Sequence, residues 1–84
     1  MMFAARVQVT LKPTVNDPQG NAVLGSLKSL GFEGVRNVRV GKFLTLEVDA
    51  ADEASARSQV HAMCDKLLAN PVIEAYEAEI SPAG

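Results

Sequence analysis

The chain has 84 residues, 48% of them hydrophobic and 21% charged, which supplies enough apolar surface for one small folded domain and argues against disorder. The net charge of −2 offers no basic footprint for nucleic acid, and no apolar run approaches the roughly 20 residues that cross a bilayer. A single cysteine, Cys64, excludes an internal disulfide and a CxxC metal or redox pair.

Residues 5–12 alternate: Ala5, Val7, Val9 and Leu11 point one way, Arg6, Gln8, Thr10 and Lys12 the other. This is the pattern of a half-buried strand, ended by Pro13. Asp17 is a good helix N-cap and Pro18 suits the first helical position, where its missing N–H costs nothing. The helix is expected to reach about Leu30, with Val23, Leu24, Leu27 and Leu30 as its apolar stripe and Gly31 as a left-handed stop. Residues 35–40 read as a short second strand, and Gly41-Lys42 as a tight hairpin turn. A third strand spans 43–49, with Leu44, Leu46 and Val48 inward. The second helix starts near Asp52, buries Ala56, Val60, Met63, Cys64 and Leu67, and ends at a left-handed Asn70 before Pro71. The last strand spans about 73–80, and residues 81–84 are expected to be a frayed tail.

The expected fold is therefore α+β, one domain over residues 1–84. It is a two-layer sandwich in the order β-α-β-β-α-β, with a mostly antiparallel sheet and two helices on one face. The halves resemble each other: at an offset of 37, Val23, Leu27 and Leu30 fall on Val60, Cys64 and Leu67. The opposite sheet face, carrying Arg6, Gln8, Thr10, Arg39, Thr45, Glu47, Glu77 and Glu79, is polar and is open to solvent or to a copy of itself.

No catalytic constellation emerges. His61 and Cys64 are helix neighbours, but Cys64 occupies a core position, where a thiol behaves as a small hydrophobe. One His and one Cys do not close a metal shell. Asp49, Asp52 and Glu53 crowd a helix start, where capping accounts for them, and Glu74, Glu77 and Glu79 lie along a strand that reads as solvated. Arg36, Arg39 and Lys42 could contact a phosphate, although charge clusters are more often solvated faces. Capping also leaves Gln19-Gly20 in the first helical turn unexplained. The first residues, Met1 to Val7, do not show a basic segment followed by an apolar one, so no signal peptide is expected and the chain reads as cytoplasmic.

Three segments, LKPTVNDPQGNAV (11–23), VRNVRVGKFLTLEVD (35–49) and CDKLLANPVIEAYEAEI (64–80), resemble the PurS family, the small subunits of bacterial phosphoribosylformylglycinamidine synthase. The resemblance covers residues 6 to 80, and the combination is more specific than any one segment. It implies a non-catalytic subunit of a purine-biosynthesis complex that makes formylglycinamidine ribonucleotide (FGAM) from formylglycinamide ribonucleotide (FGAR). It implies partners too: a synthetase subunit, which would hold ATP and magnesium, and a glutaminase subunit with its own catalytic cysteine. This chain would bind no cofactor or metal, would form a homodimer or tetramer, and would help pass ammonia. The family motifs map onto Lys12, Pro13, Asp17, Pro18, Gln19 and Gly20, onto Arg39, Gly41 and Lys42, and onto Asn70, Pro71 and Glu74. From these, Lys12, Asp17, Gln19, Gly20, Arg39, Gly41, Lys42, Asn70, Pro71 and Glu74 are the candidate partner interface.

Other classes fit less well. The alternative is a ferredoxin-like, ACT-like sensing domain, which usually regulates an attached enzyme. An acylphosphatase-type enzyme needs an arginine in the first strand-to-helix loop, where this chain has none. An RNA-binding sheet wants aromatics in its central strands, and only Phe3, Phe32, Phe43 and Tyr76 are available.

Overall fold

The computed structural model describes residues 1–83. Three strands, β1 (Met2–Leu11), β2 (Gly41–Asp49) and β3 (Glu74–Pro82), form one antiparallel sheet in the order β2-β1-β3. Helix α1 (Pro18–Ser29) joins β1 to β2, and helix α2 (Glu53–Met63), continued by a π-helical turn over Cys64–Leu68, joins β2 to β3. The α+β class, the antiparallel sheet and the two helices are as the sequence predicts.

The alternation seen in sequence sets which face is buried. Val7 lies between Leu44 and Ala78, and Ala5 between Leu46 and Ile80. The same parity puts Phe3, Ala5, Val7 and Val9 on the inner face, in one core with Ala56 and Val60 of α2 and Cys64 of the π turn. The outer face carries Arg6, Gln8, Phe43, Thr45, Glu77 and Glu79, and Arg6 pairs there with Glu79 at 3.3 Å.

Several boundaries differ from expectation, each for a local reason. Residues 35–40 form no strand; they have no ladder partner among the described residues. Asn37 turns the backbone to a positive φ of 55°, and Val40 gives its N–H to the Asp17 carboxylate instead of a strand. Gly41-Lys42 is consequently the start of β2, opposite Thr10 and Val9, and no hairpin forms there. The second helix ends differently too. The π turn closes from Ala69 N–H to the Cys64 carbonyl at 3.0 Å, and Ala69 then extends, so Asn70 is not left-handed. Leu67 is left 82% exposed instead of buried. At the C-terminus β3 runs on through Ser81 and Pro82, and Ala83 N–H reaches the Met2 carbonyl. Gly84, the end of the expected frayed tail, lies outside the described residues.

The largest difference is α1. Only α2 covers the inner face; α1 packs substantially against no strand, and its one buried residue is Gly20. The molecule measures 51 × 29 × 15 Å, with a radius of gyration of 16.4 Å. A compact chain of this length has about 12 Å. Helix α1 and the residues after it thus form an arm that projects from the sheet.

Candidate functional site

The ten candidate residues come from three separated segments and meet at one end of the sheet, at the base of the arm. Asp17 organises the meeting. As N-cap of α1 it accepts from Gly20 N–H at 2.9 Å, and its other oxygen accepts from Val40 N–H at 2.7 Å. These two bonds, strongest first, hold its carboxyl below the usual carboxylate range, with the Arg39 charge assisting. Asp17 is only 3% exposed, yet neither of its oxygens lacks a partner.

Gly20 explains part of the DPQG segment. A Cβ there would strike the Val38 carbonyl oxygen and the Asp17 carboxylate. The first turn of α1 therefore lies directly on the backbone of residue 38, and only glycine permits that approach. Gly41 serves likewise: a Cβ would sit 2.6 Å from the Val9 carbonyl oxygen.

The cations close the junction. Arg39 donates through Nη2 to the carbonyls of Lys12 and Val15, at 3.0 and 2.7 Å. Lys12 spans to the last segment: its N–H donates to the Ile73 carbonyl and its Nζ to the Pro71 carbonyl, both at 2.8 Å. Lys42 reaches the Leu68 carbonyl at 3.4 Å and the Glu74 carboxylate at 3.9 Å. Glu74 accepts from Asn70 N–H at 2.7 Å, and the Asn70 side chain accepts from Val72 N–H at 3.0 Å. The polar groups of Arg39 and Lys42, for which the sequence shows no structural need, are thus engaged within the chain. Gln19 and Pro71 remain exposed at the rim. Leu11, Asp17, Gln19, Val40, Gly41, Lys42 and Glu74 line a small open cavity at this junction.

The sequence motifs named most of this site but not its wiring. The Val15 carbonyl and the Val40 N–H are backbone groups, so no residue type marks them. The tie between Asp17 and Val40 spans 23 positions and becomes visible only when the arm folds back to its base.

Cys64 and His61, neighbours on the second helical segment, are turned to different partners. Cys64 is fully buried, and burial, then the nearby Asp65, pushes its thiol up, away from the reactive thiolate. His61 does not face it; its Nδ1 lies 2.7 Å from the Tyr76 hydroxyl on β3. Burial, and then the Asp65 charge, also raises that hydroxyl above its ordinary value. Among the described residues no group of three or more His, Cys, Asp or Glu side chains is placed to hold a metal ion. Among the same residues, no helix is long and apolar enough to cross a membrane.

Comparison with known proteins gives a consistent answer. Residues 4–82 match the family model PurS, described as phosphoribosylformylglycinamidine (FGAM) synthase. The chain is 51% identical over 79 residues to the phosphoribosylformylglycinamidine synthase subunit PurS of Synechocystis sp., covering 94% of this chain and 79% of that protein. Its fold matches a Bacillus subtilis PurS crystal structure with a TM-score of 0.87 at 41% identity, covering 95% of this chain and 99% of that one. It also matches a chain of the PurLQS structure from Thermotoga maritima with a TM-score of 0.88 at 32% identity, covering 96% and 99%.

Proposed function

The chain belongs to the PurS family of phosphoribosylformylglycinamidine (FGAM) synthase subunits, and we propose that within that enzyme it joins the other subunits and carries out no chemistry itself. The enzyme serves purine biosynthesis, converting FGAR to FGAM with ATP and with nitrogen from glutamine. In this reading the synthetase subunit holds ATP and magnesium, the glutaminase subunit holds the nucleophilic cysteine, and this chain bridges them in the cytoplasm and supports ammonia transfer. One observation carries the reading: the chain matches a chain of the Thermotoga maritima PurLQS structure over nearly its whole length. The chemistry agrees, since the one thiol is buried and the one histidine is engaged by Tyr76.

The junction at the arm's base then acts as a contact surface. Its wiring fixes the shape, and Gln19 and Pro71 on the rim are free to meet a partner. The chain also self-associates, because its arm leaves an apolar helix without a neighbour.

Reconstitution tests this. Synthetase and glutaminase subunits are assayed with and without this chain, with either glutamine or ammonium as nitrogen source. Glutamine-dependent FGAM formation is expected to need the chain, while ammonium-dependent formation is not. Equal glutamine-dependent rates without the chain overturn the bridging role.

A further inference from the structure

The turn between the π segment and β3 is held at most of its backbone polar groups. The Asn70 side chain accepts from Val72 N–H at 3.0 Å, and the Glu74 carboxylate accepts from Asn70 N–H at 2.7 Å. The Asn70 carbonyl accepts from the N–H groups of Ile73 and Glu74, at 3.2 and 2.7 Å. Lys12 holds the Pro71 carbonyl with its Nζ and the Ile73 carbonyl with its own N–H. Pro71 adds a fixed φ. On this braced turn Val72 stands 77% exposed, beside an exposed Pro71. None of the ties uses the Val72 side chain, so the turn closes without needing an apolar residue there. A β-branched side chain on a fixed backbone has little freedom left to lose on binding. Val72 is a preformed apolar knob.

The charges around the knob select the surface that receives it. Lys12, Arg39, Lys42, Asp17 and Glu74 are all tied into the junction. Both carboxylates are covered, Asp17 at 3% exposure and the Glu74 side chain at 17%, whereas the Lys42 side chain is 57% exposed and Arg39 is open as well. This end therefore presents positive charge, although the whole chain carries −2. A second copy is a poor occupant, because its matching end is positive too. Docking on another copy's outer sheet face, with Glu47, Glu77 and Glu79, is a heterologous contact that leaves an unused end and an unused face to recruit further molecules.

We propose that Val72 anchors this chain to another subunit of the enzyme, entering an apolar socket on that subunit whose rim carries carboxylates. The inference rests on the bridging role proposed above, and it names the anchoring residue and the chemistry of the surface that takes it. Pro71 and Gln19 border the contact, and Lys42 and Arg39 face the acidic rim.

The test titrates this chain into a fixed amount of synthetase and glutaminase subunits. The readout is the concentration that gives half-maximal glutamine-dependent FGAM formation. Val72→Asp replaces the knob with a charge that opposes the rim, and is expected to raise this concentration at least about tenfold. Val72→Ile keeps the knob and is expected to stay within about threefold of the wild type. Asn70→Ala leaves Val72 in place but frees its N–H, and is expected to cost about 3- to 10-fold through lost preorganisation. Val72 is exposed, so its variants keep the fold, checked by circular dichroism. Added salt is expected to weaken the wild type, and Lys42→Gln less so. If the wild type activates and Val72→Asp does so equally well, the anchor is wrong while the bridging role stands. A wild type insensitive to salt removes the acidic rim. Light scattering on the chain alone covers the other occupant: if Val72→Asp breaks up the chain's own oligomer, the knob faces a second copy and the anchor is wrong. If glutamine-dependent formation never needs this chain, the bridging role and the anchor fall together.

Discussion

The two helices begin alike and end in opposite situations. Each starts at an aspartate whose carboxylate caps the first turn: Asp17 bonds Gly20 N–H and Asp52 bonds Ser55 N–H. Each carries an apolar stripe of the same spacing. Yet α2 buries Ala56 and Val60 on the sheet, while α1 stands away from it. The caps differ in the same sense. Asp52 is exposed and serves only its helix; Asp17 is buried and also holds Val40. Thus α2 is anchored along its length and α1 only at its base. An apolar stripe shows that a helix has something to bury, but not which molecule will bury it.

Substitutions sharpen this contrast. The largest effect belongs to the sheet and α2. Phe3→Ala should cost about 3–5 kcal/mol and Val60→Ala about 2–3 kcal/mol in chemical denaturation, because both sites are closed. Leu30→Ala, at dilution where copies are apart, should change stability by no more than about 0.5 kcal/mol. A large loss there would break the comparison.

Next come two glycines of one helix with opposite signs. Gly20→Ala should destabilise by about 1–3 kcal/mol, since its methyl meets the backbone at residue 38. Gly25→Ala has open space and should stabilise α1 by about 0.5–1 kcal/mol. The two caps should also separate. Asp52→Ala should cost about 1 kcal/mol. Asp17→Ala should cost more, because Val40 N–H loses its partner as well.

The smallest effect is acid sensitivity. The folded-state pKa of Asp17 lies below its ordinary 3.8. Its contribution is therefore complete above pH 3.8 and is lost as the pH falls through the lower folded value. Acid unfolding of wild type and Asp17→Asn should converge below that window. Curves that stay equally far apart on both sides of it would remove Asp17 as the titrating tie. Cys64, buried with its thiol pushed up, should resist alkylation until the chain unfolds.

Much of the candidate site was legible because its special residues are local signals. Asp17-Pro18 marks a helix start, and Gly31 does take its left-handed turn, at a φ of 99°. The strand alternation placed Val7, Val9, Val48 and Ile80 inside, as found. The stretch 35–40 misled because Val38 and Val40 alternate like a strand, whereas their backbone is held by side chains from 12–17. Asn70 misled because an Asn before Pro is a common helix stop, whereas here the π turn had already closed the helix end.

The sequence alone determined which residues prefer burial, where each helix starts, the parity of each strand and, through three motifs, the family. Those properties depend on neighbours a few positions apart. Only the tertiary structure decided that Arg39 holds the Lys12 carbonyl, that Lys42 pairs with Glu74 and that Asp17 binds Val40. Only it decided that α1 leaves its own sheet. Both follow from contacts between residues far apart in the chain, most directly the Asp17–Val40 bond and the approach of Gly20 to residue 38 that orient the arm. Local periodicity carries no record of such contacts.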